Sequence, residues 1–154
     1  MSFTINTTIN GLAVSASAEA STSLLEFLRD TLEMKGSKLC CNTGECGACT
    51  VIYNGKPINT CVTMAADAIG AQITTIEGLA DGDKLHPVQQ AFIDTGAVQC
   101  GYCTPGFIMS VKALLDRTSK PTPADIEEAV SGNICRCTGY NKIVDAIHLA
   151  ASKL

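Results

Sequence analysis

Charge is scarce in this sequence. Only 17% of its 154 residues are Asp, Glu, Lys or Arg, against roughly 25% in an average soluble domain. Eleven basic and fifteen acidic residues leave a formal charge of −4. The basic residues are scattered, which excludes the clustered positive face that a phosphate-backbone binder needs. So few charges suggest that part of the surface meets another protein rather than water. No apolar run approaches the ~18 residues of a membrane span. The opening, MSFTINTTINGLAVSASAEA, has no basic segment leading into a continuous apolar stretch and no twin arginine. We therefore expect a mature cytoplasmic N-terminus, with the Asn6-Thr7-Thr8 sequon a chance match. Internal repeats and low-complexity segments are absent. So are G-x-G-x-x-G and the P-loop, and the chain is not expected to bind a nucleotide itself. His86 and His148 stand alone, without Cys or acidic partners at ligand spacing. Glu127-Glu128 reads as a solvated helix face rather than a catalytic pair.

What the chain does have is nine cysteines. Nine is odd, the chain is longer than small disulfide scaffolds, and no signal peptide is evident, so clustered thiols point to metal rather than to disulfides. Cys41, Cys46 and Cys49 read C-x4-C-x2-C, with eleven residues between Cys49 and Cys61. That is the plant-type ligand spacing of a [2Fe–2S] cluster. Three thiolates on one short loop demand a tight curl, and Gly44 and Gly47 fall where the backbone needs freedom to let N–H groups approach sulfur. Structural zinc prefers paired C-x2-C knuckles and suits this loop poorly. Counting from Cys40 instead leaves five residues before Cys46, so Cys40 is expected to be the ninth, non-ligating thiol, packed as a small apolar residue.

The second set is Cys100-x2-Cys103 and Cys135-x-Cys137. Each pair precedes an expected helix, where N–H groups and the positive dipole end favour anionic sulfur. The C-x-C pair is too tight for a zinc knuckle, and C-x2-C lacks the strand–helix context of a thioredoxin-like redox pair. Together the sets use eight cysteines, enough for two clusters.

Around these sets the texture changes once. Alternation over residues 3–18, broken at Asn10-Gly11, predicts a hairpin. A helical face of Leu24, Leu25, Leu28 and Leu32 follows, with Ser21, Thr22 or Ser23 as N-cap. A second hairpin is expected at Asn54-Gly55, then a short helix near Val62–Ala68 and a strand near Gln72–Glu77. After a linker at Gly78–Lys84 the pattern is helical. Helices are expected from Pro87, from Thr104-Pro105 with Phe107, Ile108, Val111, Leu114 and Leu115 inward, from the Thr122 cap, and over about Asn141–Ala151. The fold class is α+β: a small mixed-sheet domain at 1–78, suited to a β-grasp, and an all-α four-helix bundle at 79–154.

GSKLCCNTGECGACTV, QCGYCTPGF and GNICRCTGYNKIVDAI resemble, in order and spacing over essentially the whole chain, the small iron–sulfur subunit of the molybdenum hydroxylases, the xanthine dehydrogenase and aldehyde oxidase family. The resemblance implies a plant-type ferredoxin-like domain followed by a helical-bundle domain, each with one [2Fe–2S] cluster. It implies a relay of electrons from a molybdopterin site, often the cytosine dinucleotide form, on a large subunit. They would pass through an inner cluster held by Cys100, Cys103, Cys135 and Cys137 and an outer one held by Cys41, Cys46, Cys49 and Cys61. FAD on a medium subunit, or another carrier, would accept them, within a hetero-oligomer such as a dimer of heterotrimers. Gln99 and Cys137 would lie against the pterin. Relatives commonly have glycine where this chain has Cys40. No catalytic base or nucleophile is evident on this chain. The alternatives are a free two-cluster ferredoxin, against which the sparse charge speaks, and a zinc-stabilised interaction module.

Overall fold

The computed structural model describes residues 2–154. The first part is a five-stranded mixed sheet: β1 (Ser2–Ile9), β2 (Leu12–Glu19), β3 (Thr50–Tyr53), β4 (Lys56–Asn59) and β5 (Gln72–Thr74), in the order β2-β1-β5-β3-β4. β1 and β5 run parallel; the two hairpins and the β3–β5 pair are antiparallel. Both hairpin turns are Asn-Gly with all four central residues at positive φ (52° and 79°, then 47° and 80°), the geometry that matches strand twist.

The leucine-rich helix lies under the sheet, but it is short. An α-helical turn, α1 (Leu24–Glu26), passes into a π-helical segment, Phe27–Thr31, closed by the Leu32 N–H on the Phe27 carbonyl. Ser23 is the cap, in a reciprocal box with Glu26, which satisfies donors that the first turn leaves open. Leu24, Leu25, Phe27 and Leu28 are buried, with Ile5, Ile9, Val51 and Ile73 in the same core or beside it. Leu32, expected on the inner face, is only half-buried, because the wider π turn rotates it out of line. The helix expected near Val62–Ala68 is instead two 3₁₀ turns, Thr60–Val62 and Ala65–Ala68. The last strand stops at Thr74, and Ile76–Gly78 is a third such turn.

Beyond it are four helices: α2 (Pro87–Asp94), α3 (Thr104–Arg117), α4 (Pro123–Val130) and α5 (Asn141–Lys153). Pro87, Pro105 and Pro123 each sit in a first turn, where a missing N–H costs nothing. Thr122 and Asp125 form a second capping box. Phe92, Phe107, Val111, Leu114, Ile126, Ile143 and Ile147 fill the bundle. α3 is buried on two sides. Its bundle face is the expected stripe, while Met109 and Ala113 pack on Ile52 of β3. That second contact joins the two parts and brings their cysteine loops together.

Candidate metal centres

The first thiol set sits in the loop that climbs from the π segment to β3. Gly44 and Gly47 have φ of +81° and +67°, so the curl uses the glycine freedom expected of it. Thr43 and Cys46 both donate their N–H to Cys41 Sγ at 3.4 Å. Hydrogen bonding from Thr43, then from Cys46, holds the Cys41 thiol down at about 5. Asn59 at the end of β4 donates to the Gly44 carbonyl at 2.6 Å, and Thr60 to the Cys49 carbonyl at 2.8 Å. The β3–β4 hairpin thereby folds Cys61 back against Cys49. Burial, followed by the neighbouring Cys49, pushes Cys61 up to about 11. Burial also raises Cys46, whose thiol interacts with that of Cys41.

In the second set, Cys137 Sγ lies 3.6 Å from Cys100 Sγ. Two thiolates ~2.3 Å from one tetrahedral metal stand about 3.8 Å apart, so this pair already has the right spacing. Cys103 is the N-cap of α3. Its thiol is nevertheless raised to about 12, by burial first and then by Cys135 beside it. Cys135 Sγ accepts three hydrogen bonds: from the N–H of Cys137 and of Thr138, both 3.4 Å, and from the Thr138 hydroxyl at 3.1 Å. Burial alone would push it up, but the Thr138 and Cys137 donors bring it down to about 7. These donors belong to the turn at 137–138. α5 begins only at Asn141, so the expected help from that helix N-terminus is supplied by the turn instead.

Nothing in the sequence singles out Tyr140, yet it braces this turn. Its hydroxyl accepts from the Cys135 N–H at 3.0 Å, its ring meets Phe107 edge-on at 6.2 Å, and its φ is +68°. A bulky residue is held in that region only when its surroundings demand it.

The thiols gather in pairs, Cys41 with Cys46, Cys49 with Cys61, Cys100 with Cys137 and Cys103 with Cys135, and Cys40 also reaches the Cys46 thiol. Among the described residues no three Cys, His, Asp or Glu side chains converge as a single ion would need. Pairs of sulfurs with N–H donors aimed at them are what the two irons of a binuclear cluster take. All four thiols of the second set, with Cys46 of the first and Cys40, line one cleft of about 190 Å³. Cys40 is thus not packed away as expected. It is exposed and faces that cleft beside Cys46. Gln99 is also exposed, beyond the end of α2, and makes no hydrogen bond among the described residues.

Residues 7–70 match the family model of the 2Fe-2S iron-sulfur cluster binding domain, and residues 75–148 that of the [2Fe-2S] binding domain. The chain is 49% identical over 150 residues to the nicotinate dehydrogenase small FeS subunit of Eubacterium barkeri, covering 97% of this chain and 96% of that one. This chain belongs to the small iron–sulfur subunits of the molybdenum hydroxylases. A relative from Bacillus subtilis, named as part of a probable xanthine dehydrogenase, is 47% identical, over 89% of this chain and 79% of that protein. Among solved structures, quinoline 2-oxidoreductase from Pseudomonas putida 86 superposes with a TM-score of 0.95 at 38% identity, over 99% of this chain and 94% of the matched one. The aldehyde oxidoreductase from Desulfovibrio gigas superposes at 0.93 and 43% identity, over 97% of this chain but 17% of that longer chain. As a family member the chain carries two [2Fe–2S] binding domains and serves electron transfer in an oxidoreductase complex. Among the described residues no helix is long and apolar enough to cross a membrane.

Proposed function

We propose that residues 1–78 and 79–154 are the two cluster domains of the electron-relay subunit of a cytoplasmic molybdenum hydroxylase. The outer cluster is held by Cys41, Cys46, Cys49 and Cys61, the inner by Cys100, Cys103, Cys135 and Cys137. The observation that carries this reading is the pairing of the thiols under converging N–H donors. When bound, each [2Fe–2S] cluster takes up and releases one electron. The chain's own work is to present eight sulfurs as ligands, to aim the donors of Thr43, Cys46, Cys137 and Thr138 at two of them, and to hold the two ligand loops side by side. These donors favour the more negative, reduced state and so set where each site stands in potential.

Gln99, Cys100 and Cys137 are exposed, which suits a face turned to the pterin of the large subunit, in the cytosine dinucleotide form. FAD on a medium subunit then receives the electrons, in a dimer of heterotrimers. The relatives named for nicotinate and xanthine, and the structural likeness to a quinoline and to an aldehyde oxidoreductase, support an N-heteroaromatic or aldehyde substrate for the complex. The free-ferredoxin alternative finds no support among these relatives.

The test is co-expression with a large molybdopterin-binding chain and a flavin-binding chain. The expected result is a complex whose iron–sulfur absorbance bleaches when an N-heteroaromatic or aldehyde substrate is added anaerobically. A chain that purifies alone, or a complex whose absorbance ignores substrate while dithionite bleaches it, contradicts this assignment.

A further inference from the structure

Two consecutive residues after α4 are bonded to two consecutive carbonyls before β3. Asn133 Nδ2 donates to the Gly47 carbonyl at 3.1 Å, and the Ile134 N–H donates to the Cys46 carbonyl at 3.0 Å. Asn133 is 4% exposed, and its Oδ1 accepts from the Ser110 hydroxyl of α3 at 2.7 Å. The amide is therefore held at both ends, oxygen to the hydroxyl and nitrogen to the carbonyl.

Sterics make the same joint. A β-carbon at Gly106 on α3 would run into the Gly47 carbonyl, and one at Gly47 would strike the Gly132 carbonyl and the Asn133 amide. Three segments thus meet at Gly47 with no room for a side chain. Each carries a proposed ligand: Cys46 in the outer loop, Cys135 two residues past Asn133, and Cys103 at the head of α3.

We propose that Asn133 is a positioning residue that fixes the two ligand loops against each other, and with them the interaction between the two centres. The inference rests on the ligand assignment proposed above. Asn133 acts through Gly47 and Ser110. Its removal leaves no orphaned group: the Gly47 carbonyl keeps the Thr50 hydroxyl at 2.7 Å and the Thr50 N–H at 3.2 Å. The Ser110 hydroxyl, freed of Asn133, can turn to a carbonyl one helical turn back. Asn133→Ala therefore folds, with the two loops tied by one bond fewer. Asn133→Asp is harsher, since a carboxylate oxygen replaces the donor facing the Gly47 carbonyl.

The experiment is low-temperature EPR of the dithionite-reduced complex. The expected native spectrum has two [2Fe–2S] signals of one spin each, split by their mutual interaction, and two native signals without any splitting overturn the proposal. In Asn133→Ala and Ser110→Ala both spins, their g values and their potentials persist, while the splitting shrinks or smears; in Asn133→Asp it changes most. An unchanged splitting in Asn133→Ala, with both spins present, overturns the positioning role. Should Asn133→Ala lose a centre, Ser110→Ala decides, because it removes only the bond that orients the amide. An unchanged splitting there overturns the proposal. Fewer than two spins in the native protein would instead overturn the ligand assignment.

Discussion

The Thr138 hydroxyl donates to Cys135 Sγ across 3.1 Å, alongside the Thr138 N–H on the same sulfur. Only the hydroxyl can be removed without touching the backbone. A hydrogen bond to charged sulfur is stronger when the sulfur carries more charge, so it favours the reduced state. Thr138→Val should lower the potential of the inner site by ~40 mV, the one-electron equivalent of about 1 kcal/mol. Thr138→Ser should leave it near the native value. An EPR-monitored redox titration separates the two, and an equal drop in Val and Ser would show that the hydroxyl is not the cause.

The adjacent thiols Cys40 and Cys41 should behave differently. Cys41 receives two N–H donors at 3.4 Å, whereas Cys40 is exposed in the shared cleft. Cys40→Gly or Cys40→Ser should keep both EPR signals after reduction. Cys41→Ser should abolish or strongly alter the outer one. The reverse pattern would mean that the ligand register begins one residue earlier.

Gly106 is the tightest point between the helical part and the cysteine loop. Gly106→Ala leaves a helical φ undisturbed but pushes a methyl group into the Gly47 carbonyl. Overpacking of this kind costs about 1–3 kcal/mol. Thermal unfolding followed in the visible should show lower stability and earlier bleaching; an unchanged midpoint would mean that α3 moves aside freely.

His86 caps α2: its Nδ1 accepts from the Val88 N–H at 3.2 Å while Gln89 reaches back to its own N–H. Burial, with Lys112 nearby and against the opposing pull of Asp116, lowers its pKa below 6.5. Unfolded chain then takes up a proton before folded chain does. Stability should be level above about pH 6.5 and fall as pH drops through that value towards the lower folded one. His86→Asn retains a capping acceptor and should flatten this part of the curve. Parallel slopes for native and variant between pH 7 and 5.5 would assign the effect to other groups.

Much of this is legible in the residues. Both Asn-Gly hairpins, the Thr122 cap and the helix starts at Pro87, Thr104 and Pro123 are local, and local chemistry decides them. The paired thiols follow from spacing because ligand loops are short. What is not legible is long-range. The inner stripe of α3 has helical period, but Met109 and Ala113 are buried by β3, and nothing in α3's own periodicity names that partner. Asn133 and Ser110 are 23 residues apart in sequence and become one unit only when α3 packs on the sheet. The π turn after Glu26 and the positive φ of Tyr140 likewise answer to tertiary packing. Cys40 departs from expectation for the same reason: a small apolar thiol has no sequence signal to say that it faces a cleft.

The central claim is that eight of the nine thiols hold two binuclear centres. It is tested most directly by iron and acid-labile sulfide analysis combined with EPR spin counting on the reduced native complex. The account predicts four irons and four sulfides per chain, since each of the two [2Fe–2S] centres brings two of each, with two distinguishable signals of one spin apiece. One signal, or a colourless chain holding zinc, would contradict it.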